Sequence, residues 1–218
     1  MSRVTLFAGH YGSGKTNIAV NYALKLRETN ERVLIADLDI VNPYFRTKDS
    51  LDELTKAGIR LISSEYANSN VDLPALPTEM YAITDDTGAL AVVDIGGDDR
   101  GAYALGRYAP GILEENDYDM LFVCNRYRPL TTTPEDTIEV MREIEAACGI
   151  GFTGIVNNSN LGDLTTPEDV VASLPYIEAI SRETGLPVRF TSVRADLAPK
   201  LEGKVRDVFP MTLQKKYY

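Results

Sequence analysis

The sequence predicts an α/β fold, a mainly parallel sheet covered by helices, and three observations predict it. Short apolar, β-branched runs recur along the chain, they are apolar throughout rather than alternating, and segments of helical periodicity separate them. Continuous apolar runs mark strands buried on both faces, the environment of a parallel strand. Strands alternating with helices imply right-handed crossovers that lay the helices against the sheet. The 218 residues, 44% hydrophobic and 25% charged, fit one domain of this kind. No composition break, linker or fixed-period repeat interrupts them, so a single domain over 1–218 is expected.

The expected strands are residues 3–8, 32–37, 59–62, 90–94, 120–125, 154–157 and 187–191. The first helix begins at Lys15 and carries Ile18, Tyr22 and Leu26 on one face. A second begins at Thr133-Pro134-Glu135-Asp136. Thr133 is a good N-cap, Pro134 suits the first helical position, and the two acids face the positive end of the helix dipole. Ile138, Met141 and Ile144 form its apolar stripe, and Cys148 closes it. Thr166-Pro167-Glu168-Asp169 repeats the start signal ahead of Val170, Val171, Leu174 and Ile177, with Pro175 expected to kink or divide the helix. Residues 63–86 are the least periodic and read as a long loop or lid with a short helix near 79–83. Residues 96–101 read as a flexible loop.

Charge and cysteine usage narrow the function. A formal net charge of −10 and a pI near 4.7 repel phosphate backbones, so no nucleic-acid partner is expected. Lys215–Lys216 reads as a solvated tail. Cys124 and Cys148 read as small core residues in a reducing compartment, and the single histidine, His10, cannot build a histidine metal cluster. No run approaches a bilayer span, the N-terminal segment lacks signal-peptide architecture, and residues 201–218, with Gly203 and Pro210, lack a sustained apolar face. No stable membrane insertion and a cytoplasmic location are expected.

The segment Gly9-His10-Tyr11-Gly12-Ser13-Gly14-Lys15-Thr16 fits G-x-x-x-x-G-K-[ST] and sits between an apolar strand and an amphipathic helix, the context this phosphate loop requires. Glycines let consecutive N–H groups turn inward without Cβ clashes. The helix N-terminus adds a positive dipole end. Lys15 supplies a compact charge for β- and γ-phosphate oxygens, and the Thr16 hydroxyl can coordinate Mg²⁺. Asn17, the next residue, is grouped with this nucleotide-binding segment.

Two acidic strand ends complete the pattern. Asp37-Leu38-Asp39 places two carboxylates on the same side of an extended chain. One can position a water near the γ-phosphate and the other can support the metal shell, or both can simply cap the strand. Asp94-Ile95-Gly96-Gly97 ends another apolar run. Asp94 is the candidate acid for Mg²⁺, and Gly97 can offer its N–H to the γ-phosphate, ordering the loop that follows.

These residues resemble the MinD/ParA-type P-loop ATPases, a group that takes in the CobQ/CobB nucleotide-binding domains and the nitrogenase iron protein. The likeness covers roughly residues 3–191 and rests on three features: the P-loop near the N-terminus, the spacing of Asp37-Leu38-Asp39 behind Lys15, and the segment Gly154-Ile155-Val156-Asn157-Asn158-Ser159-Asn160. It implies a three-layer P-loop NTPase fold with a sheet of seven or eight mostly parallel strands. It makes Asp39 the water-positioning carboxylate and has Asn158 (or Asn157) contact adenine. An asparagine amide can pair with the N6/N7 edge of adenine, and the guanine-reading Asn-Lys-x-Asp is absent from Asn157-Asn158-Ser159-Asn160. The chain departs from the family at His10 and Tyr11, where the family carries a second lysine that reaches across a dimer; Arg46, Arg100 or Arg107 are the cations that could act in trans.

The expected function is therefore a slow, regulatory Mg²⁺-ATPase whose nucleotide state a partner protein or a second copy reads. The alternative is an ATP-dependent small-molecule kinase or ligase of the dethiobiotin- or cobyrinate-synthetase type, with residues 63–86 and Arg126-Tyr127-Arg128 forming an acceptor pocket. A nucleotide-dependent scaffold without turnover is the third possibility.

Overall fold

A computed structural model describes residues 2–39, 50–63, 77–97 and 99–213, with backbone alone at 99 and 100. Eight strands form one sheet: β1 Val4–Ala8, β2 Val33–Leu38, β3 Arg60–Ser63, β4 Leu90–Ile95, β5 Tyr118–Cys124, β6 Gly154–Asn157, β7 Val188–Arg194 and β8 Val208–Met211. Their spatial order is β3-β2-β4-β1-β5-β6-β7-β8, and every neighbouring pair is parallel. The helices are α1 Lys15–Arg27, α2 Leu51–Lys56, α3 Ala82–Asp85, α4 Asp99–Gly106, α5 Ala109–Glu115, α6 Pro134–Cys148, α7 Pro167–Ala172 and α8 Leu174–Thr184.

The uniform apolar runs follow from burial on both faces. Successive strand residues point to opposite sides. Phe7, Ile35, Val92, Leu121, Val123 and Val156 pack with Ile18, Ala19, Ala23 and Leu26 of α1. Leu6, Leu34, Val93, Phe122 and Ile155 pack on the other side with residues of α4, α5, α6 and α8, among them Leu105, Ile112, Met141 and Ile177. The result is the expected three-layer architecture with the sheet in the middle. Tyr22 of α1 is half-buried among the rings of Phe7, Phe190 and Phe209, and burial raises its hydroxyl pKa.

Both Thr-Pro-Glu-Asp starts are helix starts. The Thr133 hydroxyl accepts from Asp136 N at 3.2 Å. At α7 the box is reciprocal: Asp169 N donates to Thr166 Oγ1 at 3.2 Å, and Thr166 N donates to Asp169 Oδ2 at 2.8 Å. Donation from Thr166 N and from the Thr166 hydroxyl, also 2.8 Å from Oδ2, holds the Asp169 carboxyl below the usual range. The helix divides at Ser173, with Pro175 in the first turn of α8. Thr166→Ala is expected to lower unfolding stability by about 1 kcal/mol, as read in a urea melt. A melt unchanged from wild type would mean that the box contributes nothing here.

Three elements differ from the expectation. Residues 96–101 are not loop throughout, because α4 begins at Asp99. Glycines at 101, 106 and 111 and Pro110 weaken local helix propensity, but Ala102, Leu105, Tyr108 and Ile112 are buried, so packing overrides it. Strand β8 lies in the C-terminal segment and carries Pro210 opposite Val193. It is an edge strand, where a missing N–H is tolerated. Reciprocal bonds between Asn21 and the backbone of Thr212, both 2.9 Å, clip its end to α1. The short helix expected near 79–83 is a 3₁₀ turn, Thr78–Tyr81, running into α3. The proposed lid core at 64–76, Arg46 and Lys215–Lys216 lie outside the described residues. Among the described residues no helix is long and apolar enough to cross a membrane.

Candidate nucleotide site

The loop between β1 and α1 has the backbone its glycines were expected to allow. Gly9, Gly12 and Gly14 have φ of +152°, +75° and +92°, a region costly for residues with a Cβ. Ser13 N donates to His10 O at 3.1 Å, closing the turn. Gly14 is the N-cap of α1, which starts at Lys15, so the first-turn amides open toward the loop. Lys15 and Thr16 are buried, and Lys15 Nζ donates to His10 O at 3.2 Å. His10 Nδ1 lies 3.0 Å from Tyr11 O, a contact internal to the loop. Asn17 is half-buried in the first turn of α1, and its carbonyl accepts from Asn21.

Parallel register gathers the acids at the same sheet edge. Asp37 of β2 stands opposite Asp94 of β4, and Asp94 stands opposite Phe7 of β1. Asp94 is fully buried, and Asp37 and Asp39 nearly so. Asp39 N donates to Asp37 Oδ1 at 2.9 Å, fixing the exit of β2. A Cβ on Gly96 would lie 3.4 Å from Asp39 Oδ1, and one on Gly97 would lie 2.9 Å from Lys15 Nζ and 2.8 Å from Tyr11 N. Glycines at the end of β4 thus bring Asp39 and the loop lysine to either side of one backbone turn. Gly101 backs that turn, since its Cβ would meet Gly96 Cα at 2.5 Å.

The donor set fits Mg²⁺. Among the described residues, no three His, Cys, Asp or Glu side chains cluster to hold a metal by themselves. Mg²⁺ bound with a nucleotide does not need that, because one or two protein ligands suffice beside phosphate oxygens and water. Thr16, Asp94 and Asp39 are the residues that would hold it. Three buried carboxylates, Asp37, Asp39 and Asp94, face one buried ammonium, Lys15, among the described residues of this edge. A divalent cation offsets that surplus of negative charge.

The two asparagines that the resemblance makes base contacts also hydrogen-bond within the protein. Asn158 Nδ2 donates to Ser13 O at 2.6 Å, and its Oδ1 accepts from Ser192 at 2.8 Å. Asn157 is fully buried, donating to Ser173 Oγ at 2.9 Å and accepting from Ser159 N at 3.2 Å. Both amides are engaged inside the protein, and Asn158 braces the loop between β1 and α1 from below: a Cβ on Gly14 would lie 2.2 Å from its Nδ2. The cleft above the ends of β6, β7 and β8, lined by Asn158, Asn160, Arg194 and Leu197, measures about 20 Å³.

Arg126 is engaged within the protein. Its guanidinium donates to Ala172 O at 2.6 Å and lies 5.6 and 5.9 Å from the rings of Tyr127 and Tyr176, while the Tyr127 hydroxyl donates to Asp169 O. Arg107 is exposed. Gly96 and Arg128 also approach this edge: a Cβ on Gly96 would lie 3.4 Å from Asp39 Oδ1 and one on Gly12 3.6 Å from Arg128 Nε, an approach set by the fold that leaves no sequence signal beyond a glycine pair and a basic turn.

No protein-family model matches the chain, and no curated protein matches it. Solved structures do. The cell division protein FtsY of Thermotoga maritima aligns with a TM-score of 0.61 at 18% identity, covering 87% of this chain and 61% of that one. FtsY of Mycoplasma mycoides aligns with a TM-score of 0.57 at 18% identity, covering 88% and 61%. The signal recognition particle receptor FtsY of Elizabethkingia anophelis, in complex with GDP, aligns with a TM-score of 0.53 at 15% identity, covering 88% and 58%. The chain therefore spans about three fifths of those chains' length. At such identities the likeness concerns the fold alone, the layered parallel α/β arrangement described above.

Proposed function

We propose that this single domain binds a Mg²⁺-nucleoside triphosphate on residues 9–16, hydrolyses it slowly, and has its nucleotide state read by a protein partner or a second copy. One observation carries the reading: the exit of β4 touches both Lys15 Nζ and Asp39 through two adjacent glycines. A γ-phosphate at Lys15 would meet the Gly97 N–H, and the turn that senses it would also carry the position of Asp39. Bound Mg²⁺ would neutralise charge across the β- and γ-phosphate oxygens. Lys15 and the α1 amides orient the phosphates, and Asp39 positions the attacking water; hydrolysis of this kind needs little more than positioning and charge stabilisation. The reading places the protein in the cytoplasm, where Cys124 and Cys148, both free and buried, stay reduced.

ATP is the nucleotide favoured by the absence of Asn-Lys-x-Asp and by the MinD/ParA likeness of the loop. GTP is the second reading, favoured by the GDP held by one of the similar structures. Calorimetric titration of the protein with Mg²⁺-ATP and Mg²⁺-GTP separates them. Preference for ATP supports the first, preference for GTP replaces the base and keeps the phosphate chemistry, and uptake of neither refutes the proposal. Asp39→Ala is expected to keep the affinity for the preferred triphosphate within about threefold while slowing single-turnover hydrolysis about a hundredfold. An unchanged rate would remove Asp39 from the chemistry. The kinase or ligase alternative loses support because Arg126 and Tyr127 are engaged within the protein.

A further inference from the structure

Lys15 is the only lysine or arginine within residues 9–16, yet a second cation lies against the loop. A Cβ on Gly12 would sit 3.6 Å from Arg128 Nε and 3.8 Å from its Cδ and Cζ, so the guanidinium lies beside the loop, one methyl group's reach from its backbone. The turn carrying Arg128 is braced. Arg128 N donates to Asn125 O at 3.1 Å, and Thr131 N donates to Arg128 O at 3.3 Å. Thr131 Oγ1 donates to Asn125 O at 2.8 Å. Asn125 Oδ1 accepts from Tyr127 N at 3.1 Å and Asn160 N at 3.3 Å. Asn125 and Thr131 are each 1% exposed, so the backbone at Arg128 is anchored in the core while the side chain is exposed. Among the described residues no carboxylate forms an ion pair with it. Its neighbour Arg126 is tied down by Ala172 and two tyrosine rings; Arg128 alone of the pair is aimed at the loop.

We propose that Arg128 contacts phosphate in cis: with a triphosphate in the loop, its guanidinium donates to phosphate oxygens and adds the second positive charge. This rests on the nucleotide reading above. A guanidinium stays ionised at all physiological pH and presents a planar fork that suits two oxygens of one phosphate. Anchoring the turn in advance limits what is lost when the contact forms, because only the side chain must be ordered.

The test uses Mg²⁺-tripolyphosphate, Mg²⁺-ATP and Mg²⁺-GTP as calorimetric probes of wild type, Arg128→Ala, Arg128→Lys and Arg182→Ala. Arg182 is an exposed arginine on α8, so its variant loses the same net charge away from the loop. Arg128→Ala is expected to weaken tripolyphosphate and the preferred nucleotide about tenfold or more, Arg128→Lys to recover part of this, and Arg182→Ala to match wild type. All three variants are expected to melt with wild type, since both arginines are exposed. The inference is overturned if Arg128→Ala binds tripolyphosphate and nucleotide as wild type does, or if Arg182→Ala loses as much. Failure of wild type to bind any of the probes would instead bring down the nucleotide reading itself, so the two failures are distinguishable.

Discussion

Lys15→Ala is expected to abolish measurable binding of the preferred Mg²⁺-triphosphate, a loss of at least about a hundredfold in affinity, without unfolding the protein. Lys15 is 6% exposed at the N-terminus of α1, and its ammonium donates to His10 O at 3.2 Å inside the loop. That contact holds the charge over the cradle formed by the turn at Gly12–Gly14 and the α1 amides. Each hydrogen bond from a charged donor contributes about 1.5–3 kcal/mol, and a phosphate-bound ammonium makes more than one. Removing it also leaves the Asp37, Asp39 and Asp94 carboxylates of the same edge to repel the incoming triphosphate. The measurement is a calorimetric titration beside a thermal melt. Affinity retained within about threefold would show that phosphate is not held at this loop.

The second large effect is expected from Gly97→Ala, and its cause is steric. A Cβ at this position would meet Tyr11 Cα and N at 2.8 Å and Lys15 Nζ at 2.9 Å. Two of those atoms belong to backbone, so either the end of β4 or the phosphate loop must shift. Overpacking of this kind costs about 1–3 kcal/mol of stability. The functional cost is larger, because displacing reacting groups by about 1 Å costs on the order of a hundredfold in rate. Single-turnover hydrolysis by Gly97→Ala should therefore fall about a hundredfold, with melting lowered by a few degrees. Hydrolysis at the wild-type rate would show that the approach of Gly97 to Lys15 is packing without function.

Residues adjacent in sequence made the glycine-rich loop between β1 and α1 legible before any fold was known. Its glycines, lysine and threonine lie within eight consecutive positions between a strand and a helix, and local backbone conformation follows from those residue types. The same locality explains why the helix starts at Thr133 and Thr166 and the strands of the sheet were readable. Caps act across three residues, and an apolar run reports burial on both faces wherever the strand lies in the sheet.

What the tertiary structure alone decided is which distant residues meet. Asn158 reaches Ser13 across 145 positions. Its type suggested a base contact, and packing beneath the loop adds a bond from its amide to the loop backbone. Helices α4 and α5 were hidden behind glycines and a proline that only burial against the sheet overrides, and β8 behind a proline that only an edge position tolerates. The meeting of Gly97 with Lys15, of Gly96 with Asp39, and of Arg128 with Gly12 depends on strand order and register. Parallel strands joined by long crossovers bring their C-terminal ends to one edge, and no local rule in the sequence specifies which ends become neighbours.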